Sequence, residues 1–181
     1  MKFTHRPKIN NLDKINITLF TNNLRGISCL KYLKTKKVQI KNLIISKKNL
    51  NPKVINFLNK NKIKFITIKN LKSQKIPPIL DKTDLGLVCG FPHIFKESQF
   101  NIPKYGLINL HAGKLPKYRG GSPLNWQIIN NEKKIGINVL KMTKKLDSGP
   151  IYSSVNFNLK NNDNINTVHQ KVNQLFPDMV L

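Results

Sequence analysis

Runs of β-branched and apolar residues alternate with stretches of helical period along this chain, and no other feature restricts its fold as much. Residues 15–21 (INITLFT), 38–46 (VQIKNLIIS), 64–69 (KFITIK) and 85–90 (LGLVCG) read as strands, because branched side chains suit a pleated, covered surface. Between the first two, Leu24, Ile27, Leu30 and Leu33 recur at threes over residues 24–34, which gives a helix with one apolar face. Asn51 and Pro52 open a second helix that runs to Lys60, proline being well placed in a first turn. The stretch 72–83, with Pro77 and Pro78, reads as a connector. The run 85–90 is short, apolar and unbroken, as expected of a central parallel strand covered on both faces. Strands follow at 106–110, 135–142 and 151–159. Residues 161–163 then cap a last helix from Ile165 onward, with Val168, Val172, Leu175 and Phe176 on its apolar face. The alternation predicts an α/β fold, a Rossmann-like open and mostly parallel sheet with helices on both faces, built from right-handed crossovers. Such sheets take ligands at the carboxyl ends of their strands, here just after Thr21, Gly90 and Leu110.

A length of 181 residues fits one domain, placed at 15–181 after a polar leader at 1–14. No apolar run approaches the ~18 residues that span a bilayer, and the leader lacks the apolar centre of a secretory signal. The chain is therefore expected in the cytoplasm, away from membranes. Cys29 and Cys89 are the only cysteines, too few for a disulfide framework or a four-sulfur zinc site, and no metal is expected. A balance of 32 basic against 8 acidic residues gives a formal charge of +24, which draws a chain towards nucleic acid, anionic lipid or phosphorylated metabolites. The 29 lysines come with 25 asparagines and 22 isoleucines, the bias of an A/T-rich coding sequence, and they are scattered rather than bunched. The charge thus reads as compositional drift rather than as a nucleic-acid surface. The interleaved arginines and aromatics of a base-stacking groove are missing too.

The densest chemistry lies in residues 106–126, GLINLHAGKLPKYRGGSPLNW. The segment starts as a strand and passes into a turn richer in glycine and proline than an ordinary hairpin needs. Asn109 and His111, two apart in an alternating strand, point to the same face at the strand's end. Asn can donate two hydrogen bonds to a developing oxyanion, and His can donate to it or move a proton near neutral pH. At residues 146–151, LDSGPI, a lone acid precedes Gly149 and Pro150 in a tight loop. Asp147 there can reach back to a histidine and fix its tautomer.

The stretch NLHAGKLPKYRG (109–120), followed by LDSGPI, resembles the paired signature of the folate-dependent N-formyltransferases, N-x-H-x-S/G-x-L-P-x-Y/F-R/K-G and D-x-G-P-I. That family includes glycinamide ribonucleotide, methionyl-tRNA and amino-sugar formyltransferases. The similarity runs from about residue 15 to residue 178 and includes GFPHIF (90–95), similar to the loop that lines the family's pterin pocket. The resemblance implies a formyltransferase catalytic domain, with 10-formyltetrahydrofolate as co-substrate and no metal. It implies Asn109, His111 and Asp147 as the catalytic trio. Asn109 and His111 would stabilise the oxyanion; Asp147 would orient His111 and accept the amine's proton. The folate would lie on Gly90, Phe91, Pro92, His93, Ile94 and Leu107, with the loop Thr143, Lys144, Lys145 and Leu146. The remaining motif residues, Lys114 to Gly121, read as turn geometry rather than chemistry.

The branches of the family imply different acceptors. Glycinamide ribonucleotide formyltransferases carry a Gly-Ser-Asn phosphate loop where this chain has TNNLRG. Methionyl-tRNA formyltransferases carry a second, RNA-contacting domain that 181 residues do not hold, which disfavours tRNA as a partner. The resemblance is nearest to the amino-sugar enzymes, also for the SPLNW run, and implies a small-molecule amine, phosphorylated or nucleotide-linked. Thr21, Asn22, Asn23 and Arg25 would meet it. Family members carry more chain past the last helix, so a chain ending at Leu181 is expected to be short of an element. Two other readings stay open: a formyltetrahydrofolate hydrolase, with water in place of the amine, and a non-catalytic RNA- or nucleotide-binding α/β module. The oligomeric state is open as well.

Overall fold

The computed structural model describes residues 14–180, so the leader at 1–14 lies almost wholly outside the described residues. The elements follow in the order β1 (Ile17–Thr21), α1 (Leu24–Thr35), β2 (Ile40–Ser46), α2 (Pro52–Lys60), β3 (Ile66–Ile68), α3 (Ile76–Asp81), β4 (Leu85–Cys89), α4 (Glu97–Phe100), β5 (Leu107–His111), α5 (Pro123–Ile129), β6 (Lys134–Lys141), β7 (Ile151–Asn158) and α6 (Ile165–Met179). One sheet of seven strands has the order β3-β2-β1-β4-β5-β6-β7. The first five pair in parallel, whereas β6 and β7 run antiparallel to their neighbours. The expected open, mostly parallel sheet is thus present.

Period-two alternation splits the core into two layers. Ile17, Leu19, Leu85, Leu87, Ile108 and Leu110 point to the face covered by α1, α2, α5 and α6. Phe20, Ile44, Ile68, Val88 and Leu107 point to the other, where Ile76 and Leu80 of α3, Phe100 of α4 and the loop residues Phe91 and Phe95 cover them. All five residues of β1 and of β4 are buried, as central strands must be when both faces are covered. Full burial of a side chain such as Phe20 or Phe176 contributes roughly 1.5–3 kcal/mol.

Three helices lie where none was expected. The connector at 72–83 contains α3, whose Pro77 and Pro78 fall in the first turn, where a missing N–H breaks no intrahelical bond. The four-residue α4 is too short to show a period. Pro123 starts α5 directly after Ser122, which takes a left-handed conformation at φ 50°. The cap of α6 is Asn164, one residue past the expected segment; its side-chain oxygen accepts from the N–H groups of Asn166 and Thr167. Asp163 instead binds Lys171, and that contact holds its carboxyl down at about 2.

Candidate active site

Asn109 and His111 share the face of β5 that also carries Leu107, so the buried leucine seats the strand while the two polar groups emerge past it. Beyond the strand the chain turns back, and Asp147 arrives from the loop between β6 and β7 with a left-handed φ of 44°. The three side chains meet. Asn109 Nδ2 donates to Asp147 Oδ1 at 3.0 Å, and His111 Nδ1 faces Asp147 Oδ2 at 3.4 Å. The backbone N–H of Gly120 donates to the same Oδ2 at 2.9 Å.

The other face of the imidazole is held by the main chain. His111 Nε2 lies 2.5 Å from the carbonyl oxygen of Tyr118. A carbonyl only accepts, so the proton sits on Nε2, and in the neutral ring the lone pair of Nδ1 looks toward Asp147. Burial pushes the His111 pKa down, and Arg25 adds to that; the Asp147 carboxylate and the Tyr118 carbonyl pull the other way without cancelling it. Burial thus favours the neutral ring, while Nδ1 is the nitrogen at which the Asp147 carboxylate stabilises an added proton.

Residues that carried no catalytic signal in the sequence fix this turn. Tyr118 Oη donates to Glu132 at 2.7 Å, and Lys114 and Lys117 reach the same carboxylate. Lys117, first, and Tyr118 hold the Glu132 carboxyl at about 2, so this anchor stays charged. From behind, the Gln127 amide donates to Ala112 O and Gly136 O, and Asn138 Nδ2 donates to Gly113 O at 2.6 Å. The sequence signal for Tyr118 was its place inside the motif; its working atom belongs to the backbone.

A cavity of about 590 Å³ opens over the trio, within the range of roughly 300–1,000 Å³ usual for small-molecule sites. Of the residues expected at the folate, Gly90, Phe91, Pro92, His93, Ile94, Thr143, Lys144 and Leu146 line it. Two do not. Leu107 is 1% exposed and packs in the core beneath Asn109, and Lys145 points to solvent while its carbonyl accepts from Thr143 and Ser148. The loop 91–95 is seated on β1 and β2, for the rings of Phe91 and Phe95 pack edge-on against Phe20 at 5.5 and 5.0 Å, and His93 Nε2 meets Ser46 Oγ at 2.7 Å.

Of the four residues expected at the acceptor, Arg25 alone lines the cavity. Thr21 is buried and donates to Cys89 O, tying the end of β1 to β4. Asn22 is 2% exposed and spans β1 and β2, donating to Ser46 O and Lys48 O and accepting from Ser46 N. Asn23 caps α1 by accepting from Arg25 N. Asparagine is as apt at capping and bridging as at ligand binding, and here the strand ends needed closing. Among the described residues no group of three or more His, Cys, Asp or Glu side chains is placed to hold a metal, and no helix is long and apolar enough to cross a membrane.

Residues 29–180 match the sequence profile of the family described as formyl transferase. The chain belongs to the formyl transferase family. Within this family it is 40% identical over 95 residues to the methionyl-tRNA formyltransferase of Malacoplasma penetrans, a match covering 52% of this chain and 30% of that protein. It is 39% identical over 109 residues to that of Staphylococcus epidermidis, covering 60% of this chain and 35% of the relative. The chain thus matches about a third of the length of these curated relatives. Among solved structures, a sugar N-formyltransferase from a Shewanella species superposes with a TM-score of 0.74 at 23% identity, over 92% of this chain and 66% of that one. Phosphoribosylglycinamide formyltransferase from Bacillus halodurans gives 0.75 at 16%, over 91% and 93%. These two similarities show the formyltransferase fold.

Proposed function

We propose that this chain transfers a formyl group from 10-formyltetrahydrofolate to a primary amine, and that the amine is the aminoacyl end of methionyl-tRNA. The observation that carries the chemistry is the meeting of Asn109, His111 and Asp147 on the floor of a cavity walled by the 91–95 loop. The donor, when bound, supplies an electrophilic formyl carbon; Phe91, Pro92, Ile94 and Leu146 offer apolar walls for its ring system. Asn109 has two amide hydrogens. One is engaged by Asp147, which orients the group, and the second is available to the oxygen on which negative charge develops. His111 Nδ1 takes the proton that the attacking amine must lose, and Asp147 stabilises the resulting imidazolium. In its neutral state His111 has no hydrogen to offer an oxyanion, because its one N–H is spent on Tyr118, and a proton gained at Nδ1 is directed at Asp147, which leaves the oxyanion to Asn109.

The acceptor reading reverses the expectation drawn from the motifs alone, which favoured a nucleotide-linked amino sugar. Relatives at 39–40% identity are named for methionyl-tRNA, whereas the sugar enzyme is 23% identical. The charge of +24 suits a polyanionic acceptor as well. The amino sugar remains the second reading, on the structural similarity to the Shewanella enzyme.

The test offers methionyl-tRNA and nucleotide-linked amino sugars side by side, follows release of tetrahydrofolate, and repeats the successful reaction with His111→Ala and Asp147→Asn. Turnover with methionyl-tRNA that falls by about 100-fold or more in either variant is expected. No turnover with any amine, or parent rates in both variants, would overturn the proposal. Selective use of the sugar would move the assignment to the second reading.

A further inference from the structure

Helix α5 turns two side chains inward and leaves a strip of its own outside. Leu124 and Gln127 are buried, whereas Trp126 and Ile129 are 54% and 62% exposed. Pro123, Trp126 and Ile129 stand three apart, so they follow one another along one side of the helix. The strip starts at the rim of the catalytic cavity, because Pro123 lines that cavity and also a neighbouring hollow of about 220 Å³. Trp126 and Asn130 wall this second hollow from α5; Lys117, Tyr118 and Arg119 wall it from the turn after β5. The exposed Ile94 and Leu146 line the catalytic cavity, where an apolar ring system has a use for them, but Trp126 and Ile129 lie outside it.

Two cations border the indole, and they differ. Lys117 is spent on Glu132, 2.8 Å away. Arg119 is exposed, and among the described residues no acid forms an ion pair with it. An open indole beside an unpaired guanidinium meets both needs of a single nucleotide, a face for the base and a charge for the phosphate. The strip is too small for a stable contact between proteins, which takes ~800 Å² per partner, while two large side chains expose a fraction of that. Alternation of arginine with aromatics along the chain does not reveal the pair, since Arg119 stands in the turn and Trp126 seven residues on, in the helix.

We propose that Trp126 and Arg119 form a docking surface for an unpaired nucleotide near an RNA 3′ end. The base stacks on the indole, Arg119 meets the adjoining phosphate, and the aminoacylated terminus of the same strand passes Pro123 into the cavity. The inference deepens the proposed function and rests on it for RNA as the source of the nucleotide.

Trp126 is the only tryptophan in the chain, so its fluorescence reports on this one place. The test titrates the full chain with the trinucleotide CCA and, separately, with inorganic polyphosphate, which has the charge and no base. CCA is expected to quench the emission and polyphosphate to leave it unchanged. In fluorescence anisotropy with labelled CCA, Trp126→Ala should lose about tenfold in affinity and Trp126→Phe should recover most of it. Arg119→Met should make the slope of log affinity against log salt shallower by about 0.7, the share of one phosphate on a single strand. Both residues are exposed, and the variants are expected to melt with the parent. No quenching by CCA, equal quenching by polyphosphate, or parent affinity in Trp126→Ala overturns the surface. Emission that shifts with protein concentration in the absence of RNA assigns the strip to a second copy of the chain and overturns it too. Quenching that depends on Trp126 in a protein that formylates no amine leaves the surface standing and overturns the function. Formylation of methionyl-tRNA with an acceptor KM unmoved in Trp126→Ala does the reverse.

Discussion

Replacing Gly113 by alanine is the most direct test of whether the Tyr118 carbonyl sets the state of His111. A Cβ built at this position would lie 2.3 Å from His111 Nε2 and 2.4 Å from Tyr118 O, the two atoms of the hydrogen bond that fixes the tautomer. Contacts of Cβ below 3.0 Å are essentially never seen, so the imidazole must withdraw by about 0.7 Å or the turn must open by a similar amount. Gly113 does not have a positive φ, and the clash is the whole effect. Either movement lengthens the bond and displaces Nδ1 from the position set by Asp147. A catalytic group misplaced by about 1 Å costs about 100-fold in rate, and overpacking of this kind costs about 1–3 kcal/mol of stability. In a chain of this size, that lowers the melting temperature by roughly 2–12 °C. The assay is steady-state formyl transfer with saturating donor, alongside a thermal melt. The expected result is a kcat reduced about 100-fold with the donor KM within about twofold. Gly121→Ala, whose Cβ meets nothing within 4 Å, should leave the melt unchanged. A folded Gly113→Ala protein with kcat within about threefold of the parent would show that catalysis does not depend on this hydrogen bond, and the tautomer argument would fall.

Asn109→Ala removes the hydrogen left for the oxyanion together with the contact to Asp147, and should lower kcat by about 100- to 1,000-fold with little change in KM; a loss confined to KM would reassign Asn109 to ground-state binding. Burial is the first cause of the lowered pKa of His93, His111 and His169, so the unfolded chain binds protons more readily than the folded one below about pH 6.5. Stability supplied by these neutral rings is present above that pH and is lost on acidification through the folded pKa values. The melting temperature should therefore fall from pH 7.5 to pH 5, and a flat profile would contradict the burial argument. Gly90→Ala combines a φ of +61° with a Cβ 1.8 Å from Asn23 Nδ2, and should destabilise by more than about 1 kcal/mol in a chemical denaturation curve.

The sheet was legible because its strands are long enough and apolar enough to show a period of two, and because β1 and β4 are buried on both faces. The short helices were not. Pro77, Pro78 and Pro123 read as interruptions in a sequence, although each stands in a first turn where proline is harmless. Asn109 and His111 followed from alternation along β5. Asp147 needed the family resemblance, since an acid before Ser-Gly-Pro is equally a turn former. Thr21, Asn22 and Asn23 were drawn to the ligand by their position after β1, but their hydrogen-bonding groups close the strand ends and cap α1.

What the sequence hid most completely is that the groups proposed for catalysis are held by backbone atoms. Tyr118 O accepts from His111 Nε2–H, and Gly120 N–H donates to Asp147 Oδ2; the two peptide groups lie within three residues of each other in one turn. A main-chain donor or acceptor has no residue type, so no reading of side chains finds it. The motif residues from Lys114 to Gly121 look like geometry because they are, but this geometry places a carbonyl on His111 Nε2 and aims the Asp147 carboxylate. Glu132 thus bears on the proposed chemistry without touching the trio. By holding Lys114, Lys117 and Tyr118 on one carboxylate, it anchors the turn whose two peptide groups meet His111 Nε2 and Asp147 Oδ2.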